Sequence, residues 1–440
     1  MLKNRQYVAV QESILATTAQ TGQAPRKFYG WINVRLFFFI QFAASGFVYF
    51  AYSVVFPVMV ETMAWNRGTA SLAQSIALVM FGLAYPLTGY LLRRHGVRQT
   101  LTIGLLVMLT GLMLLIFAVT EVWQWIMIWG GIMGLSFSLT GPICSQTAMI
   151  SWFSIKRSTT IGIVLTGGAL GGALVQPALS SLMSQFDSWR AAWIVAAAMV
   201  VIALIVTRFI INRPQDIGQF PDNIDPDSVK DDPLAKNLRP KTHRTGHDWT
   251  IKQVVRTPAL YLVMLVTLGY LSTFFFLLNH GILHLTDNGL SGLEAASILG
   301  LAILGSGLAR IPAGWLGDQF ELRWTVFGFI ALMAFALAGF WLGNGIFLLS
   351  TMGMLFGAGY GGLLVLGPAM TGNYYGERAF PIINSMIAPI MLPFAAAAPA
   401  GAGYIFEATG SYNIAFTLAI GLLATGMIAA FFLKPPVAPV

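Results

Sequence analysis

Two ten-residue stretches, Gly89-Tyr-Leu-Leu-Arg-Arg-His-Gly-Val-Arg98 and Gly314-Trp-Leu-Gly-Asp-Gln-Phe-Glu-Leu-Arg323, close two long apolar segments in the same frame. Gly314 follows Gly89 by 225 residues. Ser188-Trp-Arg-Ala-Ala-Trp193 and Ser411-Tyr-Asn-Ile-Ala-Phe416 open another pair of apolar segments at an offset of 223, and Gly141-Pro142 and Gly367-Pro368 repeat at 226. Three motif pairs in one order and at nearly one offset are an internal duplication, so the chain is two copies of one apolar half.

Working outward from the repeat, 56% of the 440 residues are hydrophobic and 10% are charged. That surface cannot keep a chain of this length dispersed in water, so the composition places it in a membrane. Stretches free of Asp, Glu, Lys and Arg, each long enough for the roughly 20 residues that cross hydrocarbon, recur along both halves. The uncharged run from Trp324 to Gly376 is too long for one crossing and divides at Gly343-Asn-Gly345. The expected fold is an all-α polytopic membrane protein with twelve transmembrane helices in two pseudo-symmetric six-helix halves. Its segments are a tail at 1–31, a half at 32–211, a linker at 212–256, a second half at 257–433 and a tail at 434–440.

Proline recurs at 214, 221, 226, 233 and 240 in the linker, amid mixed charge, which predicts a mostly irregular tether. With an internal N-terminus, every Lys and Arg except Arg67, Arg190 and Arg310 falls on the inner side, as the positive-inside rule requires. The net charge of +8 therefore reports topology, with no nucleic acid implied. Both termini are expected in the cytoplasm and the protein in the inner or plasma membrane. Residues 1–27 lack the apolar core of a cleaved signal. Cys144 is the single cysteine and lies within the fourth span, so it forms no intrachain disulfide. Most tryptophans, among them Trp31, Trp65, Trp123, Trp125, Trp152, Trp189, Trp193, Trp315 and Trp324, sit near span ends, as an interfacial belt would. Glycines crowd the fifth span (Gly162, Gly167, Gly168, Gly171, Gly172) and the tenth (Gly357, Gly359, Gly361, Gly362), a pattern of close helix packing.

Nothing supports catalysis. There is no phosphate loop, no nucleophile with its base and no metal cluster, so no cofactor is expected and movement across the membrane must be driven by gradients. A central arginine costs about 2.5–3.5 kcal/mol on insertion scales, so a charge in a span is a functional candidate. Arg310 is the one such residue between the ends of the twelve spans, in the eighth, about 8 Å to the inner side of the midplane at 1.5 Å per residue. Asn279, His280 and His284 share the outer part of the seventh span, the histidines at i and i+4. That pair could carry a proton or bind an anion, and a metal lacks further ligands there.

The turns at Gly89 and Gly314 resemble the signature loop of the major facilitator superfamily. The first copy keeps Arg94, Gly96 and Arg98 but has Arg93 where the family has Asp; the second keeps Asp318 but has Gln319 and Glu321. Further stretches are similar to the monocarboxylate carrier and oxalate-formate antiporter branch: Tyr29-Gly30-Trp31, Trp152 through Arg157, Asn212 through Gly218, His280-Gly281, Gly357 through Gly361, and Thr409 through Tyr412. The resemblance implies inner-gate roles for Arg94, Arg98, Asp318 and Arg323. It implies that Arg310 binds a substrate carboxylate, against the alternative that it snorkels inward or pairs with Asp318. It also implies a cavity lined by the first, fourth, seventh and tenth helices, which makes Tyr49, Tyr52, Ser145, Gln146, Tyr270, Asn279 and Tyr360 candidates. Gln74, Gln176 and Asn384 are polar at similar depth elsewhere. Ser306 stands where the animal carriers have an Asp one turn before the arginine, and their first-helix Lys falls near Ser53.

The expected function is secondary active transport of small organic anions, a monocarboxylate or related short-chain acid, by alternating access between the halves of a monomer. Proton symport and anion exchange both fit, since no Asp or Glu lies at mid-membrane. The alternatives are a carrier of a neutral or lipophilic solute, which makes Arg310 structural, and a non-transporting sensor on the same fold.

Overall fold

The computed structural model describes residues 27–225 and 242–437, so the tail before Lys27, the middle of the linker and the last three residues lie outside the described residues. Within them, ten helices are long and apolar enough to cross a membrane. Two of the ten are interrupted by one non-helical glycine each: Thr69–Phe117 at Gly96 (φ 79°) and Ile346–Thr409 at Gly376 (φ 81°). A residue with a side chain rarely adopts that backbone, and glycine adopts it freely. Dividing the two helices there yields twelve spans.

Span 1 is Gly30–Thr62, spans 2 and 3 flank Gly96, span 4 is Val122–Trp152, span 5 is Arg157–Phe186 and span 6 is Trp189–Thr207. Span 7 is Pro258–Asp287, span 8 is Ser297–Gln319 and span 9 is Leu322–Leu342. Spans 10 and 11 flank Gly376, and span 12 is Asn413–Phe432. The break at Gly343-Asn-Gly345 falls where the sequence puts it, between Leu342 and Ile346.

Two spans are irregular at mid-depth. Span 1 widens into a π-helical stretch, Phe42–Tyr49. Span 4 does the same over Ile126–Met133, then breaks at Gly141, whose ψ of 179° lets Pro142 start a new helix. The π-helical stretch of span 1 and the break at Gly141 line the cavity described below.

The glycine stripes pack helices closely, as expected. A Cβ on Gly162 would strike the carbonyl of Arg310, one on Gly171 would strike Gly46, and one on Gly357 would strike the carbonyl of Ala302. The halves meet where span 5 runs along span 8 and span 2 along span 11. Close approaches between halves extend from Gly82 on Leu392 and Gly307 on Ala169, near mid-bundle, to Gly89 on Ser385 and Gly314 on Ser158 at the end where the linker attaches. Polar groups beyond mid-bundle pair within their own half: Gln176 donates to the Phe50 carbonyl and to Ser53, and His280 contacts Tyr412 and Pro399.

Two expectations are corrected. The tryptophan belt is only partly interfacial, because Trp125, Trp152, Trp189 and Trp193 are fully buried. Trp125 and Trp152 donate to the carbonyls of Ala70 and Ile211, which satisfies the indole N–H inside the protein. The described parts of the linker are docked on the bundle and do not behave as a free tether. Gln219 accepts from Tyr29 N and donates to Lys27 O, Asp222 accepts from Ser154 N and Ile155 N at 2.6 and 2.7 Å, and Thr245 N donates to Asn373 O.

Candidate functional site

A cavity of about 300 Å³ lies between the halves at mid-bundle. Span 1 contributes Gln41, Ser45 and Tyr49, span 2 contributes Gln74 and Phe81, and span 4 contributes Phe137, Thr140 and Gln146. The second half contributes Arg310 from span 8 with Tyr360 and Leu364 from span 10. Ser45 and Tyr49 come from the π-helical stretch of span 1, and Thr140 immediately precedes the break in span 4. The lining holds one full charge, Arg310, and no carboxylate.

Arg310 reaches the cavity because Gly162 lets span 5 approach its backbone. Its Nη1 donates to the Leu165 carbonyl at 2.5 Å, across the boundary between the halves, and its buried Nε has no partner. A guanidinium carries five donors, and the one bond to Leu165 leaves others unused in a residue that lines the cavity. Tyr360 lies beside it, stacked on Phe274 at 3.6 Å between ring centroids. Ser306, one turn earlier, is buried, and Gly361 packs on its carbonyl.

Tyr49, Gln146 and Tyr360 join Arg310 in the cavity lining, and Tyr270 sits behind Tyr360 at 6.0 Å. Gln74 also lines it and is held by the Trp129 N–H at 2.8 Å. Ser145 donates to the Pro142 carbonyl and lies 3.4 Å from Gln41. Several candidates lie elsewhere. Tyr52 stacks with Phe56, Trp125 and Trp129 inside the first half. Asn279 is exposed and bonds to the Phe275 carbonyl of its own helix. His280 has both ring nitrogens engaged, with the Tyr412 hydroxyl at 3.1 Å and the Pro399 carbonyl at 2.8 Å. His284 packs among Phe340, Tyr412 and Phe416, and Asn384 is half-buried in span 11 away from the cavity lining. Gln41, Ser45, Thr140 and Phe81 were not anticipated: Ser45 lies in the π-helical stretch and Thr140 beside the break at Gly141, which no periodicity announces, while Gln41 and Phe81 sit on regular helix with no local signal for the face they present.

At the linker end, Asp318 accepts from Ser158 N at 2.9 Å and Thr159 N at 2.8 Å, so the loop after span 8 caps the N-terminus of span 5. Arg244 of the linker approaches the same carboxylate at 3.9 Å and donates to the Ser154 carbonyl. Arg310 therefore does not pair with Asp318. Arg157 is buried and donates to Phe153 O, Ile150 O, Gly372 O and Asn373 Oδ1, the last two in the other half. Of the other expected gate residues, Arg94 is exposed and bonds to Tyr90, Arg98 donates its backbone N–H to Asn212, and Arg323 stacks on Trp324. Burial pushes the Arg244 guanidinium down to about 9 and pulls His243 below its usual value. Burial pushes the Asp222 carboxyl up, against the backbone N–H bonds of Ile155 and Ser154 that favour its charged form.

The sequence profile described as Major Facilitator Superfamily matches residues 38–286 and 281–440. Monocarboxylate transporter 13 of Bos taurus is 24% identical over 423 residues, covering 93% of this chain and 90% of that one. Monocarboxylate transporter 11 of Homo sapiens is 23% identical, covering 93% and 84%. Among solved structures, FucP in the outward conformation superposes with a TM-score of 0.70 at 11% identity, covering 91% of this chain and 98% of that one. The human organic anion transporter MFSD10 gives 0.66 at 15%, covering 93% and 100%. A multi-pass bundle of two repeated halves around a central cavity, matched by the profile over nearly its whole length, makes the chain a transporter that belongs to the major facilitator superfamily.

Proposed function

We propose that the chain is a secondary carrier of small organic anions, foremost monocarboxylates, working by alternating access. The observation that carries the reading is Arg310. It is the one cation in a cavity of about 300 Å³ whose lining holds no acid, and its Nε is unpartnered. A guanidinium fork matches a carboxylate bidentately, and a single cation matches a single carboxylate. Phe50, Phe81, Phe137 and Leu364 around it suit an apolar body behind that carboxylate. They also keep a second reading alive, a lipophilic neutral solute beside a structural Arg310. The monocarboxylate transporters among the relatives favour the anion.

The basic residues assign the linker end to the cytoplasm. The halves are apposed at that end, so this conformation faces outward; our reading also takes the protein to act as a monomer in the inner or plasma membrane. Coupling is anion exchange, or proton symport in which the substrate acid carries the proton, because both ring nitrogens of His280 are engaged outside the cavity. Uptake of radiolabelled lactate and benzoate into proteoliposomes, with and without a pH gradient, separates these. Arg310→Ala should abolish uptake in either mode. Full uptake by that variant removes Arg310 from the anion site, and no uptake even by the wild-type protein favours the neutral-solute reading.

A further inference from the structure

The two signature loops lie in the same frame, and only one carries an acid. In the second copy Asp318 caps the start of span 5, holding the halves together. At the same position of the first copy stands Arg93, which offers no acceptor to the start of span 11. In place of a carboxylate there is a second cavity, of about 440 Å³. Arg93, Arg213 and Arg378 line it, with Glu377 as the one acid, and the first turn of span 11 after Gly376 forms one wall. Arg378 also pairs with Asp248, an exposed linker residue. On the opposite wall is Ser151, 7% exposed, whose buried hydroxyl has no hydrogen-bond partner. Trp249 and Thr250 of the linker complete the rim.

We infer that this cavity binds a phosphate-bearing anion, which supplies from outside the chain the negative charge that Asp318 supplies within it. Three guanidiniums from three separate elements provide more donors than the two carboxylates beside them, Glu377 and Asp248, can use, and phosphate oxygens accept such forks. The helix start adds a favourable dipole. A basic pocket between spans at a bilayer surface suits an anionic phospholipid headgroup, and free phosphate shares its chemistry. The walls come from both halves and the linker, so the site is complete only when the linker end is closed. A bound anion therefore favours the closed state.

Full-length protein in phosphatidylcholine nanodiscs tests this, with Ser385→Cys in a Cys144→Ala background. Ser385 is buried against Gly89, so its labelling by a thiol reagent reports opening at the linker end. Adding phosphatidylglycerol to the nanodiscs should slow labelling several-fold and raise the melting temperature. If inorganic phosphate does so in phosphatidylcholine alone, beyond a chloride control at equal ionic strength, the ligand is the free anion. Arg93→Asp should label slowly without either addition and lose the response to both. Arg213→Gln should weaken the response, and both exposed positions tolerate substitution of this kind. No protection by either anion, or protection undiminished in Arg93→Asp, overturns the proposal.

Discussion

The loop after span 2 and the loop after span 8 occupy the same place in the repeat and hold their neighbours by different means. The second uses a carboxylate: Asp318 takes two backbone N–H groups of span 5 and draws in Arg244. The first uses shape: Gly89 admits Ser385 and the Pro381 carbonyl, and Asn212 grips the backbone of Arg98 beside Gly96. Duplication has kept the glycine at the head of both loops, because each closes on a crossing helix. The polar lock has diverged, and a cavity walled in part by the linker stands where it would be. The contact between the halves at the linker end is therefore electrostatic at one loop and steric at the other.

The largest effect expected from breaking this contrast is at Asp318. Removing a buried charge whose partners stay behind costs about 3–5 kcal/mol. Asp318→Ala leaves two N–H groups without their acceptor and Arg244 without its counter-charge, so it should lower the melting temperature strongly and speed thiol labelling at Ser385→Cys. Arg93→Ala should change stability by no more than about 0.5 kcal/mol, as exposed positions do. Equal effects at the two positions would show that the loops lock alike.

Next come the glycines. Gly314→Ala meets the backbone of Ser158 and Thr159, which cannot rotate away, whereas Gly89→Ala meets the Ser385 side chain first. Overpacking costs typically about 1–3 kcal/mol, and Gly314→Ala should sit at the upper end, with Gly89→Ala below it in thermal melts. Ser385→Gly should partly rescue Gly89→Ala, since only the Pro381 carbonyl contact at 2.9 Å remains, and Ser158→Gly should fail to rescue Gly314→Ala.

How much was legible follows the same division. The duplication, the break at Gly343-Asn-Gly345, the glycine packing and the isolation of Arg310 could all be read, because each rests on periodicity, on small residues or on the cost of a charge in lipid. The docked linker could not, because its contacts are single long-range bonds, such as Asp222 to Ser154 and Thr245 to Asn373, which leave no local pattern. Tyr52 and His280 were misplaced for another reason. Both are polar at the right depth, but a helix has two sides, and theirs face Trp129 and Tyr412 within their own halves. Arg157 was counted as a topological charge and part of a family-like stretch, yet it makes two hydrogen bonds across to the other half, as many as Asp318.

The smallest predicted effect is a pH response of the electrostatic lock. Burial lowers the His243 pKa, with Arg244 acting in the same direction and Glu321 opposing it, while Tyr374 packs on the ring. A depressed histidine contributes stability above its unfolded value near 6.5, and that contribution is lost as pH falls through the lower folded value. Acidifying the linker side below about pH 6 should modestly raise labelling of Ser385→Cys, and His243→Gln should remove the dependence.

The claim that organises the molecule is that Arg310 binds the substrate carboxylate. Equilibrium binding of radiolabelled lactate and benzoate to purified wild-type protein, Arg310→Lys and Arg310→Ala tests it most directly, with melting curves to show that each variant is folded. Losing the bidentate fork but keeping the charge should cost about 1.5–3 kcal/mol, or roughly 10- to 100-fold in affinity, in Arg310→Lys. Arg310→Ala should show no saturable binding of either acid. Unchanged affinity in folded Arg310→Ala contradicts the account.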